Sequence, residues 1–323
     1  MINKKSMMNK IYNYTYRKLF LLAAFLICGS LANAQLPNEK FGKPSKEEWE
    51  FTGWDDAPDA DAVVLCKTMN VSYQLPNQLF IIGQDNGDAL PDDHPDFGTS
   101  QTYENEIIVD YEFKLRTKIL KPEGVGHANI DIVYYDRVDD EFMTPDELSD
   151  LKIKVFTKNS KGKVKQRSVN AGSFVRERVN DYYKVLHVVV PDIQAGSIIE
   201  YQYKISSFRH TFLYDWTFQE CIPTVYARCD LEIPAFLQFR ADIPTYKFIQ
   251  SSVQPGHRLY DINRADMKKP KSCPTNRYKI VGSHIPPYEA SKHTTKMFTS
   301  RFLSPSNHGP ALMPANRTHL KIK

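Results

Sequence analysis

Apolar and charged residues alternate along residues 107–119. Ile107, Val109, Tyr111, Phe113, Leu115 and Ile119 fall on one side of an extended chain. Asp110, Glu112, Lys114, Arg116 and Lys118 fall on the other. A period of two is what a strand with one packed and one wet face requires. Residues 128–135 repeat the pattern, with Ile130, Ile132 and Tyr134 inward. Further strands are predicted over 63–73, 183–190, 197–206, 213–221 and 225–233, with weaker ones to 280. Asn159 to Gly162 reads as the turn of a hairpin between "LKIKVFTK" and "KVKQRSV".

Helix signals are few. Ser45-Lys46-Glu47-Glu48 fits a capping box and predicts a short helix ending near Phe51. Thr144-Pro145-Asp146-Glu147 predicts a brief second one. Many short strands, turn signals between them and little helix predict a mainly β chain: an antiparallel β-sandwich with a few short helices.

The same alternation decides the role of Glu200. Ile199, Tyr201, Tyr203 and Ile205 form the apolar set, and Glu200 shares the other face with Gln202 and Lys204. Strand geometry therefore reads Glu200 as solvated or paired across strands, not as a core carboxylate. Tyr214, Trp216 and Phe218 also share a face. They read as a core stripe. As the sharper alternative they form a candidate binding surface on which a sugar or peptide stacks, which requires exposed rings.

Composition adds limits. Apolar content of 41%, charge of 25% and a net charge of +4 describe a globular chain and give no electrostatic case for nucleic acid. A basic stretch with Lys4, Lys5, Lys10, Arg17 and Lys18 precedes an apolar run over 19–28 and then Ala32-Asn33-Ala34. That order predicts a signal peptide over 1–34, cleaved after Ala34. The apolar run is too short to span a bilayer, so the expected product is exported with no membrane span.

Cys66, Cys221, Cys229 and Cys273 remain after cleavage. Export permits disulfides, and the sequence leaves their pairing open. No Cys-x-x-Cys and no His-Glu-x-x-His occurs, so no zinc site, metal or cofactor is expected. Asp85, Asp88, Asp92, Asp93 and Asp96 crowd an acidic stretch over 83–97. Its spacing does not fit an EF-hand, and a solvated loop is the plainer reading than a calcium site.

Four segments together carry a family resemblance: "FKLRTKILKPEG", "SKGKVKQ", "VVPDIQAGSIIEYQYKI" and "WTFQECIP". In this order they resemble an uncharacterised domain of secreted bacterial proteins, a domain of unknown function that usually precedes a transglutaminase-like core. The resemblance implies a β-sandwich, life in the periplasm or outside a Gram-negative cell, and no catalytic residues in this domain. It covers about residues 60–244.

The chain departs from that arrangement after 288. No Asp or Glu follows Glu289, while Lys292, Lys296, Arg301, Arg317, Lys321 and Lys323 are basic. The expected organisation is a signal peptide over 1–34, a lead-in over 35–60, a β-sandwich over 61–245, its continuation over 246–288, and a disordered basic tail over 289–323. The expected role is recognition or scaffolding without catalysis, toward a peptide, glycan or envelope protein and not nucleic acid. The alternative is an accessory part of a Cys-His-Asp transglutaminase- or peptidase-like enzyme.

Overall fold

A near-continuous apolar run, Ala62-Val63-Val64-Leu65-Cys66, opens β1 (Ala62–Gln74) and places it mid-sheet, where a strand is covered on both faces. The computed structural model describes residues 37–55, 57–75, 107–137, 144–170, 174–243, 245–260, 271–288 and 299–303. At 259–260, 271–272 and 299–303 the backbone alone is described. The predicted signal peptide and the acidic stretch lie outside these residues. Met1–Pro37 forms one unit and Asn38–Lys323 a second, and the described strands all belong to the second.

Beyond β1 the strands are β2 (Ile108–Ile119), β3 (Ile130–Tyr135), β4 (Glu147–Lys158), β5 (Val164–Ser168), β6 (Phe174–Arg178) and β7 (Tyr183–Val188). Then come β8 (Ile198–Ser207), β9 (Trp216–Thr217), β10 (Thr224–Pro234), β11 (Arg240–Asp242), β12 (Ile249–Tyr260), β13 (Lys271–Ile285) and β14 (Thr299–Leu303). A large sheet has the order β12-β13-β10-β1-β2-β8-β4-β5. A small one, β3-β7-β6, lies against it, and a third joins β11, β14 and β9. The chain is mainly β, a sandwich of unequal layers. Among the described residues its pairs are antiparallel except one: β1 and β10 run parallel, with Val64 opposite Thr224 and Val71 opposite Leu231.

The predicted alternation holds on the inner face. Val109, Tyr111 and Ile119 of β2 join Ile130, Ile132, Leu186 and Val188 of the small sheet in one buried core. The hairpin forms as read: β4 and β5 pair, Gly162 takes φ +74°, and the Asn159 carboxamide accepts from the Lys161 and Lys163 amides.

The outer face of the large sheet corrects the expectation of a wet surface. The capping box at Ser45 is complete and starts helix α1 (Lys46–Glu50). Residues 38–51 lie across the sheet as a strap. Glu200, read as solvated or paired across strands, is paired but fully buried beneath it. Arg116 sits directly opposite on β2 and donates to Glu200 at 2.7 Å and to Glu48 of α1 at 2.6 and 2.7 Å. The Asn38 and Lys40 carbonyls accept from its two terminal nitrogens, and its Nε is left without a partner among the described residues. Gly42, at φ +80°, turns its amide onto Glu200 at 2.6 Å. Lys118 donates to the carbonyls of Glu48, Trp49 and Phe51, closing the open end of α1. A second apolar cluster of Trp54, Val63, Leu65, Phe156 and Ile198 continues this cover.

Three further expectations change. No helix follows Thr144: β4 begins at Glu147, and Asp146, expected in the first helical turn, is instead buried, its carboxylate accepting from Arg209, Tyr214 and the Tyr135 amide. Residues 213–221 hold only the short β9, since burying their rings against the core bends the segment away from a regular ladder. Within the segment expected to be a disordered tail, β14 pairs with β11 and β9. The rest of that segment lies outside the described residues.

Candidate functional site

Between the sheets, beside the β3 edge, lies a cavity of about 110 Å³. Phe113, Leu115, Tyr201 and Tyr203 form its floor from β2 and β8. Tyr214 to Ile222 close one side, and alternate residues His127, Asn129, Asp131 and Val133 the other.

One charged side chain projects inward here from an apolar strand. A register shift between Val64 and Cys66 resets the alternation of β1. Downstream of it Lys67 shares the inner face with Met69, Val71 and Tyr73. Lys67 forms an ion pair with Glu220 and donates to the Thr217 carbonyl at 2.8 Å. Its ammonium stands 4.8 Å from the centre of the Trp216 ring, a cation–π distance. Both members of the pair are little exposed, 12% and 14%. The pair is therefore desolvated enough to be sensitive to whatever fills the cavity. The Tyr201 hydroxyl is held protonated well above the ordinary tyrosine range, by burial first, with Tyr203, Glu220 and Asp131 adding to it.

Tyr214, Trp216 and Phe218 do share a face, but that face points inward. Their exposures of 8%, 2% and 0% correct the reading as an open stacking surface, because the rings pack inward and present no face on the outer surface. Tyr214 and Trp216 border the cavity instead, and Phe218 is core. Tyr214 is also tied to Asp146, with Arg209 4.1 Å from the Tyr135 ring centre and 5.5 Å from that of Tyr214.

Among the described residues Cys66, Cys221, Cys229 and Cys273 form no disulfide. Burial pushes the Cys66 thiol up to about 12 and raises Cys229 and Cys273 as well. Such thiols are poor nucleophiles at neutral pH. Cys221 is exposed and lines the cavity with His127, Asp131 and Asp215. Among the described residues no group of three His, Cys, Asp or Glu side chains is placed to hold a metal. No helix among them is long and apolar enough to cross a membrane.

Lys67 and Glu220 escape a pattern reading that looks only for alternation. Their signal was there: counting back by twos from Tyr73 places Lys67 as a lone charge in an apolar stripe.

Comparison with solved structures finds a "putative protease" from Parabacteroides distasonis at 10% identity and a TM-score of 0.46. The match covers 75% of this chain and 40% of that one, so the chain spans about two fifths of that structure's length. No curated protein matches. Residues 109–271, half of the chain, match the model of a domain of unknown function with a solved structure, DUF3857, and the chain belongs to that family.

Proposed function

We propose that the chain is an exported, non-catalytic β-sandwich module for recognition or scaffolding that works beside a transglutaminase-like core. The observation that carries this reading is the inter-sheet cavity. An aromatic and aliphatic cradle with a few fixed polar groups, here Lys67, Glu220 and Asp131, has the character of a binding pocket. A short peptide segment or a sugar fits that chemistry. The test is thermal unfolding of the full chain against panels of dipeptides and oligosaccharides. A midpoint that climbs with ligand in the wild type, and not in Lys67→Met, supports recognition. No climb with either panel, together with no association with a transglutaminase-like protein, sinks it. Export is tested separately: the amino-terminal residue of the secreted product should be Gln35.

A second reading has its own observation. Cys221, His127, Asp131 and Asp215 line one cavity, and these are the residue types of a Cys-His-Asp enzyme. Amine incorporation into a glutamine peptide by the purified chain, abolished in Cys221→Ser, would establish that reading. Equal background from both proteins would dismiss it.

A further inference from the structure

On the outer face of the large sheet, five strands each place one polar residue at a single level. The register carries the row from Arg228 on β10 through Thr68 on β1, Lys114 on β2 and Gln202 on β8 to Lys152 on β4. The row floors a groove of about 300 Å³, with Glu39 of the strap on its wall. Two of the cations there are already engaged. Arg228 holds Glu39 at 2.7 and 2.9 Å and also pairs with Asp230. Lys204 holds Asp110 at 3.0 Å.

Lys114 differs. It is half-buried, and among the described residues it makes no hydrogen bond and no ion pair. Glu200 and Glu39 attract it only from a distance, because their oxygens are committed to Arg116, Gly42 and Arg228. Burial lowers its pKa, outweighing the attraction of Cys66, Glu200 and Glu39. Such a group is costly to hold. An anion arriving from solution would supply the missing acceptor. The other charges lining the groove are exposed: Lys152 and the acids Glu112 and Asp150. The two acids oppose a dianion such as phosphate and suit a monoanion with a neutral or positive remainder.

We propose that this groove binds a carboxylate group, with Lys114 as its central cation and Gln202, Thr68 and Lys152 as flanking donors. The groove opens on the other face of the sheet from Lys67 and Glu220, although Thr68, Phe113, Lys114 and Tyr203 border both the groove and the inter-sheet cavity. A peptide carboxyl terminus is the simplest macromolecular source; a free small acid has the same chemistry.

The experiment titrates N-acetylglycine into the full chain and follows the Gln202 side-chain amide by NMR. Saturable shifts are expected, with affinity about tenfold weaker in Lys114→Met. Lys114→Arg should retain binding, and N-acetylglycine amide should give no response. A response to the amide equal to that of the acid overturns the proposal, as does an affinity unchanged in Lys114→Met. Absence of saturable shifts from the acid overturns the site itself. Inorganic phosphate binding more tightly than N-acetylglycine overturns the carboxylate assignment. A tripeptide with a free carboxyl terminus binding more tightly than N-acetylglycine supports a peptide source; equal affinities support a small free acid.

Discussion

Val109, Tyr111 and Ile119 leave β2 toward one side of the large sheet; Arg116 and Lys118 leave the same strand toward the other. Both sets are buried. The inner set is buried by apolar partners from the small sheet, a contribution that scales with area and needs no directed bond. The outer set is buried by a strap that meets it charge for charge and carbonyl for ammonium. Burial works against the Arg116 charge, but Glu200 and Glu48 outweigh it and raise its pKa. The lesson is that alternation reports polarity, not exposure. A polar face becomes interior wherever another segment supplies matched partners.

The largest test of this contrast is Arg116→Met. It strands Glu48 and Glu200 in a covered site, and urea unfolding should show a loss of about 4 kcal/mol. The outer face should also be repairable. Adding Glu48→Leu and Glu200→Leu to Arg116→Met should return part of that loss: no unpaired charge remains, but the Ser45 and Gly42 amides and the Asn38 and Lys40 carbonyls lose these partners. A triple variant as weak as the single one would show that shape, not charge matching, holds the strap.

The inner face should behave oppositely. Ile130→Ala should cost about 3 kcal/mol with no second substitution of a partner to restore it, since what is lost is packed volume. A loss well under that would mean the small sheet shifts to fill the space.

A smaller, pH-dependent effect separates the faces again. Burial, with Lys158 nearby, depresses the Lys118 ammonium to about 8 from an ordinary 10.5. The folded state therefore releases this proton more readily than the unfolded chain. Between about pH 8 and 10.5 the unfolded chain carries more protons at this site, and stability due to Lys118 should rise with pH. The difference in unfolding free energy between wild type and Lys118→Met isolates the effect from the buried tyrosines. A difference flat across that window would mean the three carbonyls hold the proton after all.

The smallest perturbation is chemical labelling. In the native state Cys221 should react with a thiol reagent, while Cys66, Cys229 and Cys273 should wait for unfolding. Mass mapping of the labelled peptides distinguishes them.

Local features were legible in the sequence because their causes are local. The Ser45 capping box, the Asn159–Gly162 turn and the period of two in β2 each involve neighbours within a few positions. Long-range consequences were not. Nothing near Arg116 announces that Glu48 and Gly42 will lie over it. The burial of Asp146 depends on Arg209 and Tyr214, far along the chain, and that partnership overrides a valid local helix signal. Lys67 is intermediate: its inward direction follows from one register shift, which the apolar run before it conceals. The aromatic stripe at Tyr214, Trp216 and Phe218 announced a shared face, but whether that face met solvent or core depended on the sheet opposite.

The parallel pairing of β1 with β10 also sets an order of events during folding. Antiparallel neighbours such as β4 and β5 close over a turn, whereas Val64 must wait for Thr224. A contact so distant along the chain is entropically slow to form. Until Thr224–Pro234 is in place, one edge of β1, including Ala62-Val63-Val64-Leu65, stays open. An apolar open edge of that kind is a template for pairing with another chain. A strand whose first five residues are buried in the finished molecule is thus an exposed hazard while it is being assembled.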